Sequence, residues 1–390
     1  MASPFLQYVQ YPMMISGFLP VALTESHKRL YTMYRYILRT FIFFFAFFLF
    51  GATPEFNASR DELFQFFNER IMFIIVYMKI IMCMSKNLEK LIFEMIANET
   101  KISYSKNRKL TEIYRQTVRK SKIIQLSYIA LVYICYVLLM LPNFVTYVQI
   151  KVAESKANST VNIYLTKSYY CWVPIEEDKH YLFLLLLENG FSLLSSNVYC
   201  SVQIILINLL LNMTLRLKVL GSNLKNMNNS GKRIVEKLIT GYIEEHIDII
   251  RNCEFLNDTL KYLMLLEFLL TTVQLSMLMF QGITTKDLNV KVFSAMYVLQ
   301  LLVQLLILYW YAHQIRVESI AIADAVYEMP WYEYNRSTAI TLRIMMMRSQ
   351  KPLSLTLGSF GIMTLDTAVK IIKGSYTYVT FMQQTYGNID

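Results

Sequence analysis

Seven stretches of this chain are each long and apolar enough to cross a lipid bilayer, and nothing else restricts its folding so strongly. They lie at about 34–52, 66–84, 123–148, 181–213, 262–283, 290–312 and 354–385. A spanning helix needs about 20 mostly apolar residues, because the hydrocarbon core is about 30 Å thick. Inside that core the backbone must satisfy its own hydrogen bonds, which leaves helices or closed barrels. The first stretch is the plainest, with FIFFFAFFLF at its centre, whereas the second and seventh carry charges. Charged residues make up 17% of the chain, against about 25% in a soluble domain. The expectation is an all-α membrane protein, a single seven-helix domain over residues 1–390. The first thirty residues lack the basic start and apolar core of a secretory signal, so the first span is expected to direct its own insertion.

The net charge of +10 would suit a nucleic-acid binder, but its distribution excludes that reading. Lys and Arg collect in cytoplasmic connections. Of the 38, 27 lie around the start of the first span and in the connections 85–122, 214–261 and 313–353, and 7 lie in 53–65, 149–180 and 284–291. The N-terminus is therefore expected in the cytoplasm and the C-terminus outside. The sequons at Asn57 and Asn158 then face outward as candidate glycosylation sites, while those at Asn98 and Asn335 fall inside and read as chance. This orientation is opposite to that of a G-protein-coupled receptor. The Asp-Arg-Tyr and Asn-Pro-x-x-Tyr motifs of such receptors are also missing.

No residues stand ready for catalysis. The five cysteines have no metal-ligand spacing, only Cys171 sits in an outer loop, and neither a phosphate-binding loop nor HExxH occurs. We expect no enzyme, no cofactor and no metal. Paired, Gly/Pro-interrupted spans in two related halves would mark a transporter, and they are not seen. The inner segments 87–121 and 232–261 place apolar residues at helical spacing. Their apolar faces need cover, from the membrane surface or from a cytoplasmic bundle built with extensions of spans four to six. The bundle is favoured, with 214–261 and 313–353 as anchor helices. The outer loop 149–180, with Cys171, Trp172 and Pro174, would act as a lid.

The C-terminal third carries a specific pattern. VESIAIADAVYEMPWYEYN (317–335) is followed by LRIMMMRSQKPLSLTLGSFGIMTLDTAVKIIKGSYTYVTFMQQ (342–384). Ala325, Tyr327, Glu328, Trp331 and Tyr332, then Met346, Arg348, Gln350, Pro352 and Leu353, then Leu365-Asp366 and SYTY resemble the C-terminal signature of insect odorant receptors. The end of the chain is also similar to gustatory receptors, through Thr377-Tyr378 and Gln384, with Thr385 where that family has Phe. The resemblance implies a ligand-gated, non-selective cation channel in the plasma membrane of a sensory neuron dendrite. It implies a tetramer assembled with olfactory co-receptor subunits. The connection between spans four and five is short here, whereas the co-receptor has a large insertion there, so this chain resembles the odour-tuned subunit. A gustatory-type channel is the nearest alternative, and a metabotropic receptor a more distant one.

By resemblance, span seven lines a central pore and small volatile odorants bind in the outer half of spans two to six. Asp366, Lys370, Lys373, Thr377, Thr380 or Phe381, and Gln384 recur at helical spacing on one stripe. Polar side chains in a membrane usually face a bundle interior or water, so the stripe reads as pore-facing. The alternative is that Lys370 and Lys373 pair with an acid such as Asp366. Matching positions make Phe381, Gln384 and Thr385 the outer gate, with Thr377 and Lys373 below. A pocket for volatiles should be apolar and aromatic with a few polar groups. The candidates are Phe73, Ile74 and Tyr77 in span two, Tyr136, Val137 and Met140 in span three, and Phe191, Leu194 and Ser195 in span four. Spans five and six add Met277, Leu278, Phe293, Met296 and Tyr297. For each, helix packing is the alternative reading. Lys79 and Glu267 read as inter-helix partners or end-of-span residues, and Glu188 as a possible ligand contact.

Overall fold

A computed structural model describes residues 5, 10–17, 25–51, 60–105, 107–157, 177–227 and 232–386. Asn57, Asn158 and most of the outer loop, including Cys171, Trp172 and Pro174, lie outside the described residues. Apart from one isolated bridge, the described residues are helical or irregular. The helices are α1 (Gln10–Ile15), α2 (Glu25–Gly51), α3 (Arg60–Cys83), α4 (Lys86–Ser103), α5 (Arg108–Ala157), α6 (Glu177–Lys225), α7 (Lys232–Thr284), α8 (Leu288–Tyr327), α9 (Arg336–Ser349) and α10 (Leu365–Tyr386).

Among the described residues, five helices are long and apolar enough to cross a membrane, or six when the bent pair α3 and α4 counts as one span. α10 has the length for a seventh, at 22 residues, but it is too polar to qualify on composition alone. Its start is a correction to the sequence reading: residues 354–364 are not helical, and the helix begins at Leu365.

Four helices run far beyond a bilayer. α7 has 53 residues, about 80 Å at 1.5 Å per residue, more than twice the hydrocarbon thickness. α5 has 50 residues, α6 has 49 and α8 has 40. The segments 108–122, 214–225 and 232–261 are therefore continuous with their spans, since no proline or turn sequence breaks them. The extensions pack together with α4 and α9. Arg216 Nη2 meets Asp248 Oδ2 at 2.7 Å, and Lys225 Nζ meets Glu328 Oε2 at 3.0 Å. Such partly solvated pairs add little stability; the buried apolar residues Leu91, Leu215, Leu220, Leu224, Ile249, Leu256, Ile315 and Leu342 form the core here.

Phe5 is sunk into this region. Its backbone N–H donates to Glu99 Oε1 at 3.1 Å, and its carbonyl accepts from Gln125 Nε2 at 2.7 Å and Asn208 Nδ2 at 3.2 Å. α6 is the axis of the whole arrangement: its most apolar window is buried along its full length, while those of the other spans are at most half buried.

The connection before α10 is a small hairpin. Leu357 N–H donates to the Gly361 carbonyl at 2.8 Å, and Met363 N–H donates to the Leu355 carbonyl at 2.8 Å. Leu353, Leu355 and Leu357 point inward and are buried. The hairpin is pinned to α7, where Asn257 Oδ1 accepts from Thr356 N–H at 2.7 Å and the Lys261 carbonyl accepts from Gly358 N–H at 3.1 Å. Gly358 adopts φ +54, and a Cβ there would stand 2.9 Å from Leu265 Cδ2. Part of the C-terminal sequence pattern thus has a structural role: it fixes where the last helix starts.

Candidate functional site

Two adjoining cavities lie inside the bundle formed by α3, α5, α6, α7 and α8. The larger holds about 260 Å³, just under the usual range for small-molecule sites of about 300–1,000 Å³. Met72, Leu138, Leu139, Leu278 and Phe293 supply its apolar wall, and Gln65, Asn68, Glu69, Asn143, Gln281 and Tyr297 its polar one. Pro142 of α5 also lines it. Proline has no N–H to give the carbonyl four residues back, so the Leu138 backbone loses its helical donor at the cavity wall. The smaller cavity, about 40 Å³, shares Met72, Leu139, Phe293 and Tyr297 and adds Tyr136, Ser192, Tyr199 and Gln300.

Several of these side chains are held in place. Tyr297 OH accepts from Gln274 Nε2 at 2.8 Å, Gln65 Nε2 donates to Glu69 Oε1 at 2.9 Å, and Tyr136 OH points to Asn189 Oδ1 at 3.4 Å.

Beneath the smaller cavity a polar network joins the same five helices. Lys79 of α3, 1% exposed, makes an ion pair with Glu267 Oε1 of α7 at 2.9 Å and donates to Gln203 Oε1 of α6 at 2.8 Å. Its ammonium also sits 4.0 Å from the centre of the Tyr199 ring. Gln304 of α8 donates through Nε2 to Glu267 Oε1 at 2.8 Å. Its own Oε1 accepts from Tyr128 OH of α5 at 2.9 Å and from Tyr199 OH. Charges this deep persist only when paired and hydrogen-bonded. Here one lysine and one carboxylate bind five helices at a single level.

α10 packs one face against α7 and α8. Ala368, Ile371, Ser375, Val379 and Met382 are buried, at spacings of three and four. Ser375 Oγ donates to the Thr272 carbonyl at 3.3 Å, and Ser276 Oγ donates to the Ser375 carbonyl at 3.4 Å. The opposite face bears Asp366, Lys370, Lys373, Thr377, Phe381, Gln384 and Thr385, all exposed from their own subunit. Neither Lys370 nor Lys373 has an ion-pair partner among the described residues, so pairing with Asp366 is not seen.

A bundle of membrane-length helices around a small, mixed-polarity cavity, with one polar-faced helix at its edge, defines a multi-pass membrane protein. The chain belongs to the 7tm odorant receptor family, whose model matches residues 63–376. It is 32% identical over 144 residues to Odorant receptor 10 of Aedes albopictus, covering 37% of this chain and 38% of that protein. It is 26% identical over 160 residues to Odorant receptor 67c of Drosophila melanogaster, covering 41% and 39%. The matches thus span about two fifths of those relatives. Its fold is similar to that of the olfactory receptor OR5 from Machilis hrabei, with a TM-score of 0.81 over 98% of both chains at 15% identity. The structure of that receptor in complex with eugenol gives 0.80 over the same coverage.

The structure brings together some of the sequence-chosen pocket residues and separates others. Leu278, Phe293 and Tyr297 line the larger cavity, and Tyr136, Phe293 and Tyr297 the smaller. Phe73 and Phe191 are buried instead in an aromatic stack, with ring centroids 5.3 Å apart and Phe45 3.5 Å from Phe191. Met140 and Ser195 are buried but line neither cavity, nor do the partly exposed Ile74, Leu194, Met277 and Met296. Tyr77 and Val137 are exposed on the outer faces of their helices, at 37% and 48%. Glu188 is buried and lines neither cavity.

Sequence reasoning missed Gln65, Asn68 and Glu69, which stand in the early turns of α3, and Leu138, Leu139, Pro142 and Asn143 of α5, beside the chosen Met140. A proline in the middle of a span was the available signal for the latter.

Proposed function

We propose that this chain is the odour-tuned subunit of a ligand-gated, non-selective cation channel in the plasma membrane of sensory neuron dendrites, working in a tetramer with olfactory co-receptor subunits. Its N-terminus would face the cytoplasm and its C-terminus the outside. The observation that carries this reading is the pairing of a cavity within the bundle with α10, whose apolar face is buried in its own subunit while its polar face is left for neighbours and water. Four such helices around an axis would give a wet path. Phe381 would narrow it as an apolar ring, and Gln384 would stand where partly dehydrated cations pass. The inner bundle supports assembly as well: Ile340, Ile344 and Met347 form an exposed apolar stripe on α9, opposite the buried Leu342 and Met345, suited to a neighbouring subunit.

An odorant that binds more tightly to the open arrangement shifts the population toward it. The cavity reaches α7 through Tyr297 and Gln274, and α7 reaches α10 through Thr272, Ser276 and Ser375, which gives a physical route between site and pore. The test is expression with and without a co-receptor while recording current evoked by volatiles. Odour-evoked cation current that needs both chains and no G protein is expected. Current that depends on G-protein signalling overturns the reading.

A further inference from the structure

We propose that the larger cavity selects odorants bearing a hydroxyl group, and that Asn68 is the residue that reads it. This rests on the odorant-gated reading above and narrows its ligand class. Asn68 stands on α3 in the cavity wall and is 7% exposed. Neither its amide nitrogen nor its carbonyl oxygen has a hydrogen-bond partner among the described residues. Buried polar groups in native proteins are paired with few exceptions, and each exception needs a reason. Other polar groups of the same wall are engaged. Tyr297 accepts from Gln274, Gln65 donates to Glu69, and Thr146 Oγ1 donates to the Pro142 carbonyl at 2.9 Å. Asn68 instead holds a donor and an acceptor side by side.

A hydroxyl both donates and accepts, so one such group answers both halves of the amide. An ether or ketone offers an acceptor only and leaves Asn68 Oδ1 unmet. A hydrocarbon leaves both atoms unmet, and sites with buried polar groups reject ligands that cannot pair with them. A carboxylate would face Glu69 across the same wall. The rest of the surface, from Met72 to Phe293, suits a short aliphatic or single-ring body.

The experiment records dose–response currents from the full chain co-expressed with a co-receptor. The probes are aliphatic and phenyl-substituted primary alcohols, each beside its methyl ether and its parent hydrocarbon. In the native protein the alcohols are expected to be about tenfold more potent than their ethers, the worth of roughly one hydrogen bond. In Asn68→Leu the advantage is expected to shrink to about twofold or less, while the solubilised protein melts no earlier than the native one, because an unpaired amide has been removed. Asn68→Ala serves the same comparison if Asn68→Leu does not reach the surface. Absence of an alcohol preference in the native protein, or a preference that survives both substitutions, overturns the assignment of Asn68 while leaving odour gating intact. Failure of every volatile to open a channel that a co-receptor agonist does open overturns the odorant-gated reading, and this inference with it.

Discussion

Replacing Lys79 with methionine is expected to lower the stability of this protein by about 3–5 kcal/mol, the range for removing one partner of a buried ion pair. The figure follows from what remains. Glu267 stays 9% exposed, having lost the ammonium 2.9 Å away, and its Oε2 already has no hydrogen-bond partner among the described residues. Gln203 Oε1 and the face of Tyr199 lose their cationic neighbour as well. With an unfolding entropy of roughly 2.1 cal/mol/K per residue, a chain of 390 residues has about 0.8 kcal/mol/K. The melting temperature should then fall by about 4–6 °C. Thermal unfolding of the detergent-solubilised protein, followed by size-exclusion fluorescence, measures it. Added salt should not reproduce the loss, since buried pairs are weakly screened. The double variant Lys79→Met with Glu267→Gln removes both charges and keeps an acceptor for Gln304, so it should recover to within about 1 kcal/mol of the native protein. The reasoning fails if Lys79→Met melts with the native protein, or if the double variant is no more stable than the single one.

Three further outcomes are expected. Gly358→Ala forces an L side chain to φ +54 and places its Cβ 2.9 Å from Leu265, so a loss of about 1–2 kcal/mol should appear as a lower melting temperature, with normal melting arguing against the hairpin geometry. Gln384→Ala should change cation permeability ratios in reversal-potential measurements on the co-assembled channel, and unchanged ratios remove Gln384 from the filter. Tyr297→Phe deletes the acceptor of Gln274 Nε2 inside the bundle, so odorant potency should move by about threefold to tenfold with co-receptor agonist responses intact; equal potencies would detach Tyr297 from the site.

The long helices were legible because runs such as 262–283 are apolar over most of their surface, and only a bilayer or a large core accommodates that. The same property hid the pocket. Where a helix is apolar all round, periodicity does not say which face meets a cavity, so Tyr77 and Phe293 looked equally suited although one points outward and the other inward. α10 was the opposite case: its polar residues recur on one stripe, so its buried and exposed faces could be read directly. Its start was misplaced because the apolar Leu353, Leu355 and Leu357 read as helix, although Pro352, Gly358 and Gly361 mark a turn. Lys79 and Glu267 announced themselves as charges in apolar segments. That they meet each other depends on how α3 and α7 cross, which no local pattern encodes.

The enclosure of α6 bears on how the protein is made. Gln203, Asn208, Asn212 and Arg216 are at most 4% exposed in the finished bundle. α8 makes the most extensive contact with α6 and α7 adds more, although Gln203 and Asn208 find their partners on Lys79 of α3 and Ser121 of α5. The chain is synthesised from its N-terminus, so α6 enters the membrane before either α7 or α8 exists. Until they arrive, the faces of α6 that α7 and α8 come to bury must meet lipid or the insertion machinery, so the fourth span is complete as a helix well before it is complete as a core.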